Sequence, residues 1–174
     1  MLYFDTSFLA PLILPEATSG KIAAFVRELP AAQFTVSHWT RVEFSSLLAR
    51  EVRMGELDAD TAARADAKFE SVVEESFSVV LPNADDFGLA KEYLGRFETG
   101  LRAGDALHLA IARNHRAQVI YSLDKTLLRA GKLLGLRVSM GIQNELAWCP
   151  PLSDRLEVVR VMNGRQDIDA DDIA

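Results

Sequence analysis

Four acidic residues of this 174-residue chain stand where a fold could gather them. Asp5 directly follows the apolar run Leu2-Tyr3-Phe4, and Asp124 lies three residues beyond Val119-Ile120-Tyr121. Asp105 opens the apolar stretch Ala106 to Ala112, and Glu43 sits within Arg41-Val42-Glu43-Phe44. Carboxylates that share one crevice repel one another unless a proton or a cation lies between them. Oxygen ligands without histidine or cysteine favour Mg2+ or Mn2+ over zinc. Such an ion polarises a phosphoryl oxygen, acidifies a bound water and steadies a leaving oxygen, which amounts to phosphodiester hydrolysis.

Each acid also has an ordinary role. Aspartate is a favoured helix cap, which would account for Asp5 or Asp124 alone, and Glu43 alone would be a solvated helix residue. Asp105 is harder to explain this way, because a charge beside so much apolar surface needs a partner.

The elements that must position these acids follow from the hydrophobic pattern. Residues 2–4, 34–36, 77–81, 119–121 and 136–138 read as short buried strands. Helices are predicted over 18–29, from a Ser37 cap to Met54 before Gly55, from Asp58 or Asp60 to Glu75, over 84–97, from Gly104-Asp105 through Ala112, and over 127–134. Strands alternating with helices imply an α/β fold: one domain with a parallel sheet of about five strands flanked by helices. In such a sheet ligands bind at the carboxyl ends of the strands, where Asp5 and Asp124 fall.

Composition sets the outer limits. A hydrophobic content of 49% suffices for a core in one domain. The only cysteine, Cys149, cannot close an intramolecular disulfide, and no Cys/His spacing resembles a zinc site. No apolar run approaches the roughly 20 residues that cross a bilayer, and the opening residues lack a signal-peptide pattern, so a soluble, cytoplasmic protein is expected. The net charge of −6 argues against wrapping nucleic acid by bulk electrostatics. Residues 151–174, however, hold six acids against three arginines, so the first 150 residues carry only −3, and bound cations would cancel part of that. Pro150-Pro151 ends the globular pattern. The expected division is a domain over 1–149 and an extension over 150–174, read as an added edge strand or a flexible acidic tail.

With these residues in place, the chain resembles the PIN-domain ribonucleases, and in particular the VapC-type toxins of toxin-antitoxin pairs. Leu2 to Leu9 looks like the family's opening strand, first acid and hydroxyl pair. Gly104-Asp105-Ala106-Leu107-His108-Leu109-Ala110 looks like its most characteristic segment, and Ile120-Tyr121-Ser122-Leu123-Asp124 is similar to its final hydroxyl-x-Asp element. Glu43 matches the glutamate of the intervening helix. The resemblance spans residues 1 to about 140. It implies an Mg2+ or Mn2+ cofactor, an RNA substrate, a cognate antitoxin and a homodimer. It also implies that Asp5, Glu43, Asp105 and Asp124 hold the metal, with Thr6, Ser7 and Ser122 as orienting hydroxyls. The length past Pro150 departs from the family pattern and leaves partner and regulation open.

Other residues carry two readings. Lys125, Arg129 and Lys132 recur at helical spacing and would grip RNA phosphates or simply form a solvated face. Arg96 and Arg102 flank the segment before Asp105 and read the same way. His108, among apolar neighbours, is expected to be a satisfied core histidine, and Trp39 and Trp148 are expected to pack. His38 and His115 have no partner at a suggestive spacing. Phosphatases of the haloacid dehalogenase type also begin with a strand and an aspartate, but they need a second acid two positions later, where this chain has Ser7. A catalytically inactive PIN-like RNA-binding or scaffolding module is the remaining alternative.

Overall fold

The computed structural model describes residues 1–142. The predicted extension over 150–174, its boundary at 149, and Trp148 lie outside the described residues. Five parallel strands form one sheet in the order β3-β2-β1-β4-β5: β1 (Leu2–Phe4), β2 (Phe34–Ser37), β3 (Ser78–Val80), β4 (Val119–Tyr121) and β5 (Val138–Ser139). The chain runs outward from β1 in one direction through β2 and β3, then returns to the other side of β1 for β4 and β5. The order therefore reverses between β1 and β4, and a crevice opens at their carboxyl ends.

Seven helices cover the sheet: α1 (Thr6–Ile13), α2 (Ser19–Arg27), α3 (His38–Met54), α4 (Ala59–Ser76), α5 (Ala84–Leu94), α6 (Ala103–Asn114) and α7 (Lys125–Leu133). Side chains alternate across a strand, and β1 divides accordingly. Leu2 and Phe4 join a core with Phe8, Ile22, Phe44 and Phe69 from α1 to α4, whereas Tyr3 joins Leu109, Ile111 and Leu127 on the face covered by α6 and α7. Phe44 of α3 stacks on Phe69 of α4 at 4.0 Å between ring centroids, so these two long helices pack as a pair.

Four predicted boundaries are corrected. The helix expected over 84–97 stops at Leu94. Beyond it Thr99 Oγ1 bonds the Arg96 carbonyl at 2.7 Å, a local bond that competes with helix, and a 3-10 turn takes Phe97–Thr99. The fifth strand is 138–139 rather than 136–138, because the Leu136 amide bonds Gly131 O at 2.8 Å and finishes α7 instead of joining the sheet. Helix α6 begins at Ala103, before Gly104, and α7 at Lys125. Helix α1 was not foreseen at all, since Pro11 lies inside it and argues against a helix interior. Burial of Phe8, Leu9 and Ala10 supplies what local propensity lacks.

Candidate active site

Strand β1 delivers Asp5 to the crevice, where it caps α1 by accepting the Phe8 amide at 3.0 Å. Its side chain is only 3% exposed, and both oxygens are held by hydroxyls. Ser7 Oγ donates to Oδ1 at 2.8 Å, and Ser122 Oγ, at the end of β4, donates to Oδ2 at 2.7 Å. Ser7 Oγ in turn accepts the Leu123 and Asp124 amides at 2.9 and 3.2 Å. One hydroxyl thus ties the loop after β4 to the start of α1, so Asp5 and Asp124 are set relative to each other.

Asp124 caps α7, its Oδ1 accepting the Thr126 and Leu127 amides at 2.6 and 2.9 Å. Glu43 enters from α3, whose start is fixed by a Ser37/Thr40 capping box. Its Oε2 accepts Thr6 Oγ1 at 2.6 Å and lies 2.6 Å from His108 Nε2. Its Oε1 points at the first turn of α6, and a Cβ on Gly104 would come within 2.6 Å of it. Glycine at 104 is therefore what allows the carboxylate to approach the helix. Asp105, half-buried in that same turn, completes the set.

The electrostatics show Asp105 responding to two of the other acids. Burial pushes the Asp105 carboxyl above the ordinary aspartate range, and Asp124 and Glu43 raise it further, against the Arg102 backbone amide. Asp5 is also raised by burial, which His108, the two serines and the Phe8 amide only partly offset. Glu43 differs: burial would raise it, but the bond and charge of His108, with Thr6 and Trp39, hold it below the usual value. The Trp39 indole contributes although its buried N–H closes no hydrogen bond of ordinary geometry.

Among the described residues none of the four acids is paired with a lysine or arginine. Hard oxygens without a lysine or arginine partner are a donor set suited to a divalent cation. Among the described residues no three acidic, histidine or cysteine side chains already stand in a metal-binding arrangement. Residues that would hold such an ion are Asp5, Glu43, Asp105 and Asp124, with Glu43 Oε1 and the second oxygen of Asp124 left over from the anchoring bonds.

The expected orienting hydroxyls all contact an acid: Thr6 binds Glu43, and Ser7 and Ser122 bind Asp5. The basic residues divide. Arg129 donates to Thr99 O at 3.2 Å and Arg96 pairs with Glu98 at 2.8 Å, so both are engaged within the chain. Arg102, Lys125 and Lys132 are exposed. His108 is 1% exposed, as expected of a core residue, yet the sequence reading missed that it touches Glu43. The available signal was its place one turn after Asp105 on the inner face of α6. A cavity of about 420 Å3 lined by Arg113, Arg116 and Arg137 includes none of the four acids. No described helix is long and apolar enough to cross a membrane.

Comparison with known proteins bears on this geometry. Residues 2–133 match the PIN domain family. Among solved structures, VapC20 of Mycobacterium tuberculosis, described as a sarcin-ricin loop cleaving toxin, is 26% identical, with a TM-score of 0.61 over 75% of this chain and 95% of that one. FitAcB of Neisseria gonorrhoeae is 15% identical with a TM-score of 0.63, covering 79% and 96%. VapBC-1 of nontypeable Haemophilus influenzae is 17% identical with a TM-score of 0.58, covering 80% and 97%. The latter two likenesses are of fold alone. None of the curated proteins matches the chain.

Proposed function

Since the chain belongs to the PIN domain family, we propose that it is a metal-dependent endoribonuclease and the toxin of a toxin-antitoxin pair. The observation that carries this reading is that Asp5 and Asp124 follow β1 and β4, where the strand order reverses, and are tied together through Ser7, with the Asp105 carboxyl raised by burial and then by Asp124 and Glu43. Such crowding is unfavourable in the bare protein and useful once a cation is bound. Mg2+ or Mn2+, when bound, supplies Lewis-acid polarisation of a phosphoryl oxygen and a more acidic water.

The chain's own residues supply the rest. Ser7 and Ser122 fix both oxygens of Asp5. The α7 amides take one oxygen of Asp124 and leave the other out of the cap. Thr6 holds Oε2 of Glu43, so the set of free oxygens is decided before substrate arrives. Exposed Arg102, Lys125 and Lys132 are proposed to contact RNA phosphates, which position the strand without reading its sequence. RNA as the substrate class is supported by the described activity of VapC20, and an antitoxin partner by its description as a toxin. A cytoplasmic homodimer completes the proposal.

The test incubates structured and single-stranded RNAs with the protein, with and without Mg2+ or Mn2+, beside Asp105→Asn. Cleavage is expected only with metal and only in the parent, the variant losing about 100-fold or more. Equal cleavage by both proteins, or cleavage that survives excess chelator, would overturn the assignment. RNA binding without cleavage would favour the inactive RNA-binding module, and hydrolysis of a phosphomonoester alone would favour a phosphatase.

A further inference from the structure

Helix α6 is buried from Ala106 through Ala112, and His108 is the one polar side chain in that run. Both ring nitrogens are used. Nδ1 lies 2.8 Å from the Tyr3 hydroxyl and Nε2 lies 2.6 Å from Glu43 Oε2. The Tyr3 hydroxyl lies 2.9 Å from Ser37 Oγ, which accepts the Thr40 amide at 3.3 Å. Tyr3 and Ser37 are themselves fully buried. A continuous chain therefore runs from the start of α3, through β1 and α6, back to Glu43 one turn and a half further along α3.

The chemistry of these groups orders the protons. Oε2 of an ionised glutamate only accepts, so His108 Nε2 must carry a hydrogen and donate it. Nδ1 is taken by the Tyr3 hydroxyl, which in turn meets Ser37 Oγ. Each of these groups finds a partner, as buried polar groups require. The effect on Glu43 is directional: Oε2 is turned inward to Thr6 and His108, and Oε1 is presented to Gly104 in the first turn of α6, the turn that carries Asp105.

We infer that His108, held by Tyr3 at Nδ1 so that Nε2 donates to Glu43, is a positioning residue that selects which oxygen of Glu43 is offered to the acidic cluster. This rests on the metal-site reading given above, and extends it to a residue outside the ligand set. Groups that orient a ligand from behind act on affinity for the ion as well as on rate, so binding of the ion alone reports the role.

The experiment has two parts. In chelator, the side-chain nitrogen resonances of His108 are expected to show a proton on Nε2, and an unprotonated Nε2 would overturn the inference without any metal. Titration with Mn2+ alone, followed by loss of the free-ion resonance signal, is then compared across variants whose circular dichroism matches the parent. His108→Leu is expected to weaken Mn2+ binding about 10- to 100-fold, while His108→Gln, which can still donate to Glu43, stays within about threefold. Tyr3→Phe, nearly the same shape, is expected to weaken it severalfold, and to add nothing in a His108→Leu background because it acts through the histidine. Equal affinity in His108→Leu and the parent overturns the positioning role and leaves the nuclease reading standing, and so does equal weakening by leucine and glutamine. A parent chain that takes up no Mn2+ overturns the metal reading and this inference together.

Discussion

At the scale of single residues, the acids of the cluster are held in different ways. Glu43 is stabilised as an anion by donors, whereas burial disfavours the anion of Asp5 and, with neighbouring charge, of Asp105. The consequence for stability follows from linkage. A carboxyl whose folded value is raised favours the folded state below its unfolded value and loses that contribution as pH rises through the folded value. Glu43 behaves oppositely: its contribution is present above the unfolded value and is lost as pH falls through the lowered folded value. A first-turn acid also gains from the helix dipole, but the upward direction at Asp105 shows that burial and neighbouring charge prevail there. Asp105→Asn, which mimics the protonated acid, is therefore expected to melt about 2 °C or more above the parent at neutral pH in chelator. Calorimetry should find the gap narrowing as pH falls toward the ordinary aspartate value of about 3.9. A variant that melts lower at neutral pH would contradict this account of the cluster.

At the scale of elements, the same aspartates that face the crevice also start helices. Asp5 begins α1 and Asp124 begins α7, and the cap of Asp124 uses one oxygen only, so capping does not rule out the proposed metal role. Asp124→Ser and Asp124→Ala separate them. Both remove the charge beside Asp105, so that relief cancels in the comparison, and only serine can still accept the Thr126 and Leu127 amides. The alanine variant is expected to be less stable than the serine variant by about 1 kcal/mol in denaturant melts. Both are expected to lose RNA cleavage alike. Retained cleavage in Asp124→Ser would reduce Asp124 to a cap. The fit of α7 also explains the correction at β5, because Gly131 packs where a Cβ would lie 2.3 Å from Val138, which draws the strand close under the helix.

For the whole molecule, the described elements hold the four acids without pairing any of them to a lysine or arginine. A divalent ion that binds only the folded chain should then stabilise it. Mass action gives about 2.7 kcal/mol at an ion concentration 100 times the dissociation constant. Mn2+ is therefore expected to raise the melting temperature of the parent at neutral pH, chelator to reverse the rise, and Asp105→Asn to show much less of it. Thermal melts at about pH 4 should show the effect shrinking, because protons then compete for the same oxygens. A melting temperature indifferent to Mn2+ at neutral pH would mean that the acids do not share an ion.

The hydrophobic runs at residues 2–4, 34–36 and 119–121 determined the central strands by themselves, because a buried strand must be apolar on both faces wherever it lies. The sequence pattern placed Asp5 and Asp124 just past strand ends and Asp105 in the first turn of a buried helix. Helix α1 was not legible, since its residues are neither periodic nor free of proline, and only packing against Phe4, Ile22 and Phe44 makes it a helix. His108 was legible as buried but not as a partner of Glu43, 65 positions away. Which of two buried polar side chains meet depends on how helices α3 and α6 come together over β1, and no local pattern encodes that long-range approach. Tertiary structure also decided that Arg129 serves the Thr99 carbonyl, because a charge on a helix face does not specify what lies opposite it.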